Sequence, residues 1–320
     1  MMQVETDHGD GQPWLVVGAS GFVGSAVVAA LTTAGIPVRT VSAPRVEAEP
    51  GGEPCALAAA TVDHPALPAL AAAMHGVAVV VMAAGRAEPD ATWTSGLVGA
   101  NAFAPALVAR AAHLAGVPRL IHLSSAAVQG RARTLTEDDA AAPFSPYSRS
   151  KVRGEQALIR LADETGLEVV ILRATSVQGA TRATTQKLRR VARSALASVA
   201  GDGRQPSAVS SVQALSALVV HVGRSDDVPP TVLQPWEGLS VAEVLKHAGG
   251  REPRRLPGWA CTAAVTAGYA LTRSLGGRGA GAIRRVEAMW FGQRVEARWA
   301  SETGFRPPAV LAAVLHGDRA

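Results

Sequence analysis

The chain has 320 residues, of which 48% are hydrophobic and 18% are charged, a composition typical of a globular protein. It contains two cysteines, Cys55 and Cys261, which indicates neither a disulfide framework nor a zinc site and favours a reducing, cytoplasmic compartment. The net charge of +5 favours anionic ligands, but aromatic residues make up only 4% and no nucleic-acid-binding motif is present, so the expected partner is a small molecule.

Along the first half of the chain, short apolar runs alternate with alanine-rich helical segments. Residues 1–12 lack the order of a signal peptide and are predicted to be a flexible tail. Strands are predicted in WLVVG, PVRTVS, VAVVVMAAG, RLIHLSS and LEVVILR. Continuous Val, Ile and Leu runs separated by helices predict an α/β protein with a doubly wound parallel sheet, the Rossmann fold. No run is long enough to cross a bilayer, so we expect no membrane partner.

A glycine-rich loop follows the first predicted strand and opens a helix, in the sequence VVGASGFVGSAVV. Its first glycine permits a tight turn, the second lets a pyrophosphate approach the backbone, and the third lets helix and strand pack closely. In this position the pattern predicts a dinucleotide site. The predicted contacts of the loop are Gly18, Ser20, Gly21, Phe22, Val23 and Gly24.

The second predicted strand indicates which dinucleotide binds. An NAD site usually carries an acidic residue near this point, but no Asp or Glu occurs between Gly24 and Glu47. Ser42 and Arg45 stand at the strand end instead, and a hydroxyl and a guanidinium suit a 2′-phosphate. The sequence therefore favours NADP, with NAD as the alternative.

A tyrosine and a lysine lie four residues apart in PFSPYSRSK, behind a predicted helix start at Ser145 and Pro146. On a helix Tyr147 and Lys151 share a face, and a nearby ammonium lowers the pKa of a phenol toward neutral pH. Such a phenol can protonate the oxygen that a hydride transfer leaves negatively charged. Ser124 and Ser125 offer hydroxyl groups at a strand end, whereas His122 is predicted to be a hydrogen-bonded strand residue without a catalytic role.

Taken together, GASGFVG, NAFAPALVARAAHLAG, HLSSAAVQG, YSRSK and LRATSVQGA resemble the extended short-chain dehydrogenase/reductase family in order and spacing. The later LSVAEVLKHAGG and RVEARWASETGFRPP resemble the tail of its nucleotide-sugar epimerases and ketoreductases. The resemblance implies that Ser125, Tyr147 and Lys151 are catalytic and that Ser124 packs in its strand. It further implies a homodimer. It places cofactor contacts at Ala83, Ala84, Gly85, Asn101, Lys151 and Ala174, and substrate contacts at Ser125 and Ser176, with Ala174 and Ser176 on the loop that borders nicotinamide and substrate.

Beyond Gly179 the strand rhythm weakens, and proline, glycine and arginine become frequent. We predict a dinucleotide-binding domain over 13–178, to which 206–235 returns. A smaller, mostly C-terminal α/β substrate-binding region is predicted over 179–205 and 236–320.

Departures from the family pattern point to the reaction. Ala126 and Ala127 replace the acidic pair that sugar dehydratases need, and the missing acid after the second strand disfavours an epimerase with tightly held NAD. The first hypothesis is an NADPH-dependent ketoreductase of a nucleoside-diphosphate keto-deoxysugar. The alternatives are a nucleotide-sugar 4-epimerase and a reductase of a polyketide-type ketone of secondary metabolism.

Substrate contacts are predicted at Arg86 and at a basic run that begins with Arg182. The run contains Lys187, Arg189, Arg190 and Arg193 and no acid, and it fits either a diphosphate cradle or a solvated helix face. A non-enzymatic cofactor sensor is disfavoured because the chain keeps both the tyrosine and the lysine.

Overall fold

The structure is a computed structural model that describes residues 11–87, 92–274 and 279–317. The first ten residues of the predicted tail lie outside the described residues. The chain forms two compact units. The first contains the chain up to Val128, Pro146–Arg173 and Ser216–Val232, and the second contains Gln129–Ser145, Ala174–Leu215 and the chain from Leu233 onwards.

The five predicted strands are present, and further short strands occur among them and after them. The strands are β1 (Trp14–Val17), β2 (Val38–Val41), β3 (Val79–Met82), β4 (Arg119–Ser125), β5 (Thr134–Leu135), β6 (Glu168–Ala174), β7 (Ser176–Gln178), β8 (Ser198–Ala200), β9 (Val209–Ser211), β10 (Thr231–Leu233), β11 (Arg254–Leu256) and β12 (Arg294–Val295).

Helices follow most of these strands. They are α1 (Phe22–Thr33), α2 (Pro54–Ala59), α3 (Leu67–Met74), α4 (Ser95–Val98), α5 (Ala104–Leu114), α6 (Pro146–Thr165), α7 (Ala183–Arg193), α8 (Val212–Arg224), α9 (Val241–Gly249), α10 (Gly258–Ser274), α11 (Ala280–Phe291), α12 (Arg298–Glu302) and α13 (Leu311–His316).

A six-stranded sheet in the order β10-β6-β4-β3-β1-β2 is the centre of the first unit. β1 pairs in parallel with β2 on one side and with β3 on the other, and β3 pairs in parallel with β4. This arrangement confirms the predicted α/β Rossmann-type fold. The strand order reverses at β1, and in such sheets ligands bind beyond the carboxyl ends of the strands at the reversal point.

The apolar sequences of the strands match their buried positions in the sheet. Every residue of β1 and β3 is buried, as expected for strands covered on both faces. α5 is buried along almost its whole length against this sheet and its neighbouring helices. α6 ends at Thr165, and Gly166 follows with a φ of +72°, the left-handed conformation that commonly terminates a helix.

A π-helical segment, Gly99–Phe103, joins α4 to α5 and makes one continuous helix over Ser95–Leu114. Among the described residues, this is the helix whose length and composition would allow it to cross a membrane. Its most apolar window is 78% buried inside the fold, which is the ordinary situation of a core helix.

The second unit is built from pairs of short parallel strands, β5 with β12, β7 with β9, and β8 with β11. One of its apolar clusters packs α9 and α13 against α7 and β8. α9 begins with a capping box, in which the Ser240 side chain accepts from the Glu243 backbone N–H and the Glu243 carboxylate accepts from that of Ser240. It ends at Gly249, and the next residue, Gly250, has a left-handed φ of +72°.

Candidate active site

The glycine loop forms the turn between β1 and α1 that the sequence predicts. Gly18 has a φ of +86°, and a side chain there would collide with the Cβ atom of Ala84. A side chain at Gly24 would overlap the Gly18 carbonyl oxygen, so both positions require glycine. Gly21 is the residue before the first turn of α1, and its N–H donates to the Gly18 carbonyl at 3.0 Å.

The end of β2 carries a hydroxyl and a guanidinium but no carboxylate. Ser42 and Arg45 are both exposed, and neither has a hydrogen-bond or ion-pair partner within the described part of the chain. Arg39 on β2 is instead held by the carbonyl oxygen of His75, to which its Nη1 donates at 2.8 Å. The two unpaired side chains are therefore available to an anion.

A buried asparagine, Asn101, fixes the backbone of the segment after β3 by hydrogen bonds. Asn101 lies in the π-helical segment, where its Oδ1 accepts from the Arg86 N–H at 2.9 Å and its Nδ2 donates to the Arg86 carbonyl at 3.0 Å. The same Nδ2 donates to the Ser150 hydroxyl on α6 at 2.9 Å. A side chain at Gly85 would stand 2.9 Å from Asn101 Oδ1 and 3.3 Å from Lys151 Nζ. The backbone at Gly85, directly after Ala83 and Ala84, therefore passes close to the lysine.

The three predicted catalytic residues belong to the first unit. α6 begins at Pro146, so Tyr147 is in its first turn and Lys151 lies one turn further on the same face. Tyr147 is half-buried and Lys151 is buried. Ser125 ends β4, is half-buried, and accepts a hydrogen bond from the Ala127 N–H at 3.2 Å.

Lys151 is buried in a polar surrounding. Its Nζ donates to the Leu123 carbonyl oxygen on β4 at 2.9 Å. Burial lowers the pKa of Lys151 to about 8, and the negative charge of Glu155 opposes that shift. With its pKa near this value, the lysine is mainly cationic at neutral pH.

The interpretation of His122 as a hydrogen-bonded strand residue is wrong. Its side chain is fully buried, and neither ring nitrogen has a hydrogen-bond partner among the described residues. Burial, together with the positive charge of Lys151, holds its pKa well below the ordinary value. The imidazole is therefore neutral, since a second cation beside Lys151 would be unfavourable.

Two side chains next to Lys151 were missed by the sequence analysis. Glu155 on α6 is bound by the guanidinium of Arg173 on β6, with Nη2 to Oε2 at 2.8 Å, and both are buried. The Ser124 hydroxyl donates to the same carboxylate, so this serine does more than pack in its strand. The spacing of Glu155, four residues after Lys151 and on the same helical face, is a signal that could have identified it.

Three predicted site residues belong to the second unit. Ala174 is the last residue of β6 and Ser176 is the first of β7, so both lie in strands rather than in a loop. Arg182 precedes α7, and its guanidinium donates to the Val177 carbonyl oxygen. Arg189 of the basic run also binds carbonyl oxygens of the chain, among them that of Leu315 at 2.8 Å. Lys187, Arg190 and Arg193 are exposed.

The residues at the carboxyl ends of β1, β2 and β3 fit a dinucleotide. The glycine turn keeps side chains away from the first turn of α1, where pyrophosphate groups bind in this fold. The described residues also include no group of three or more His, Cys, Asp or Glu that could hold a metal ion. Beside this edge, a tyrosine, a cationic lysine and a serine offer a proton donor, a positive charge and a hydroxyl.

Comparison with known proteins also supports a dinucleotide-binding protein. The model of the NAD-dependent epimerase/dehydratase family matches residues 14–216. The UDP-glucose 4-epimerase of Azospirillum brasilense is 35% identical over 181 residues, which are 52% of this chain and 49% of that enzyme. The chain thus matches about half the length of this curated relative.

Solved structures show the same fold over nearly the whole chain. The UDP-glucuronic acid 4-epimerase of Bacillus cereus, solved with UDP-glucuronic acid and NAD, has a TM-score of 0.63 at 17% identity and covers 96% of this chain and 97% of its own. A human epimerase family protein solved with NADPH has a TM-score of 0.62 at 21% identity. The match covers 95% of this chain and 98% of the human protein's chain. The predicted resemblance to extended short-chain dehydrogenases/reductases is confirmed, and the chain belongs to a family of enzymes, the NAD-dependent epimerase/dehydratase family.

Proposed function

We propose that the protein is an NADPH-dependent reductase of a carbonyl group on a nucleoside-diphosphate keto-deoxysugar. The dinucleotide would occupy the carboxyl edge of the sheet in the first unit. Ser176 and Arg182 stay predicted substrate contacts. The choice of reductase rests on the residues after β2. Ser42 and Arg45 are exposed and unpaired there, and the acidic residue that an NAD site usually carries at this point is absent.

The chain's own residues then have distinct tasks. NADPH, when bound, supplies the hydride to the carbonyl carbon. The Tyr147 phenol gives its proton to the carbonyl oxygen as negative charge develops there, and the Ser125 hydroxyl donates a hydrogen bond to the same oxygen. The Lys151 ammonium stabilises the tyrosinate that is left behind. Ser42 and Arg45 bind the 2′-phosphate, the Arg45 guanidinium as the charged donor.

A 4-epimerase that recycles bound NAD is the second candidate. It is supported by the 35% identity to a UDP-glucose 4-epimerase. The same tyrosine and lysine serve this reaction, in which the phenolate first accepts the proton of the 4-hydroxyl group. The two candidates therefore differ in the cofactor and its exchange, and agree on the catalytic residues.

Cofactor binding to the purified protein separates the candidates. We expect NADPH to bind at least tenfold more tightly than NADH, about 1.4 kcal/mol, with no dinucleotide retained from the cell. Arg45→Ala should remove most of this preference, while Arg204→Ala, at an 88% exposed side chain in the second unit, serves as the charge-matched control. Retained NAD, or a preference for NADH, would contradict the reductase and direct the assays to epimerisation.

A further inference from the structure

A buried charge network in the first unit lies next to the catalytic lysine. The Glu155 carboxylate accepts from Arg173 through both of its oxygens, from Nη2 at 2.8 Å and from Nε at 3.3 Å. The Ser124 hydroxyl adds a third hydrogen bond. The exposed fraction of the side chain is 5% for Glu155 and 3% for Arg173, so water does not screen these charges appreciably.

The network joins three elements around Lys151. Glu155 lies one turn after Lys151 on α6, and Arg173 reaches it from β6. Ser124 comes from β4, directly after Leu123, whose carbonyl oxygen accepts from Lys151 Nζ. The lysine and the carboxylate are therefore fixed to adjacent residues of one strand.

Each partner has a physical reason to be present. A buried carboxylate needs hydrogen-bond and charge partners, and the Arg173 guanidinium and the Ser124 hydroxyl supply them to Glu155. The Glu155 carboxylate in turn favours the charged form of Lys151 against the cost of its burial. Without that negative charge, the pKa of Lys151 would fall below its value of about 8, toward neutrality.

The other groups around Lys151 do not replace this charge. His122 on β4 is neutral and hence gives no compensation. Asn101 and the backbone at Gly85 approach the lysine but carry no charge. Tyr147, on the same helix, is the proposed proton donor and is a neutral phenol before the reaction. In the described part of the first unit, Glu155 is thus the acidic group that raises the pKa of Lys151.

We propose that Glu155 is a positioning residue whose carboxylate, anchored by Arg173 and Ser124, holds Lys151 in its ammonium form beside Tyr147. The proposal rests on the proposed function in one respect, that a charged lysine assists proton transfer at Tyr147. A carboxylate with a structural role only would tie β4, α6 and β6 together and would leave the ionisation of Lys151 unchanged.

The lysine content of the chain makes a direct measurement feasible. The sequence contains three lysines, Lys151, Lys187 and Lys246. A pH titration of protein carrying ¹³C-labelled lysine side chains, followed by NMR, reports each ammonium group without any substrate. Lys187 and Lys246 are exposed and provide the reference signals.

In the wild-type protein we expect Lys151 to titrate near pH 8. In Glu155→Gln the midpoint should fall by about one pH unit or more, and in Glu155→Asp it should stay near the wild-type value. Because Glu155→Gln leaves the Arg173 charge unpaired, the double variant Glu155→Gln/Arg173→Met removes both charges and preserves the fold better. Its Lys151 midpoint should fall less than that of Glu155→Gln, because losing the Arg173 cation opposes losing the carboxylate. Glu164→Gln, on the same helix at a 40% exposed carboxylate, is the matched control.

Three outcomes decide the proposal. A lowered midpoint in folded Glu155→Gln or in the double variant, with none in Glu164→Gln, supports it. An unchanged Lys151 midpoint in a folded double variant overturns it, as does a wild-type Lys151 that is already neutral at pH 7. Since the titration needs neither NADPH nor a sugar, a protein that shows the shift but reduces no keto-sugar would contradict the proposed function and leave this inference intact.

Discussion

The two tyrosines of the chain, one in each unit, differ in the charge beside them. Tyr147 on α6 is followed one turn later by the buried cation Lys151. Tyr269 on α10 donates its hydroxyl proton to the Glu287 carboxylate at 2.8 Å. A cation favours the ionised phenol, whereas a carboxylate that accepts from the hydroxyl favours the protonated one. The same side chain is therefore suited to proton transfer in one unit and to a permanent hydrogen bond in the other.

The cluster around Tyr269 shows what a structural tyrosine looks like. The Arg131 guanidinium stacks over the ring at 4.0 Å and binds Glu287 at 2.7 Å, and Arg284 adds an ion pair at 3.1 Å. Burial and the hydrogen bond to Glu287 raise the pKa of Tyr269 to about 12. Burial by itself would raise the pKa of Glu287, but the hydrogen bonds from Arg131 and Tyr269 and the charge of Arg284 lower it.

The largest expected difference between the two tyrosines is in turnover. Tyr147→Phe should reduce kcat by about 10²- to 10⁴-fold, the range of general acid catalysis, because the hydride-accepting oxygen loses its proton donor. Tyr269→Phe should leave kcat within about twofold of wild type at temperatures where the variant is folded. Steady-state assays with NADPH and a UDP-4-keto-6-deoxyhexose measure both. Equal losses in the two variants would end the distinction between a catalytic and a structural tyrosine.

The next difference is in the ionisation of the phenols. Tyr269 should stay protonated until about pH 12, whereas Tyr147 should ionise at lower pH because Lys151 favours the phenolate. Tyrosinate absorbance between pH 8 and pH 11 should therefore rise in wild type and in Tyr269→Phe. It should not rise in Tyr147→Phe. Since Tyr147 and Lys151 interact, the midpoint belongs to the pair.

The smallest of the three effects is on stability. Glu287→Gln should lower the free energy of unfolding by about 1–3 kcal/mol, because Arg284 is buried and loses its charged acceptor. Urea unfolding at pH 7 measures it, with Glu296→Gln, at a partly exposed carboxylate paired at 3.8 Å to the exposed Arg298, as the control. Equal losses in the two variants would mean that the cluster around Tyr269 adds no more stability than a surface ion pair.

Features that depend on local chemistry were predictable from the sequence. The glycine turn, the start of α6 at Pro146 and its end before Gly166 each follow from residues within a few positions of one another. The strands of the second unit were not predictable in the same way, because they are two or three residues long and pair with distant segments. β5, for example, pairs with β12, about 160 residues later.

Contacts made across the sequence explain the errors at the candidate site. Ser124 lies in β4 as predicted, but its hydrogen bond to Glu155, 31 residues away, was missed because neighbouring residues do not indicate it. His122 was expected to find a partner because buried polar groups nearly always do. Its ring instead stays neutral in a fully buried position beside a cation, an arrangement that no spacing in the sequence indicates.

The π-helical segment at Gly99–Phe103 has a consequence for how this chain tolerates change. A π-helical turn holds one residue more than an α-helical turn, so it behaves as an insertion that the helix has absorbed without breaking. Deleting one residue there would restore regular geometry and rotate everything on its N-terminal side by about 100° relative to α5. Asn101 would then no longer face the Arg86 backbone. The one extra residue of this π-helical turn thus fixes the position of Asn101 against the loop after β3.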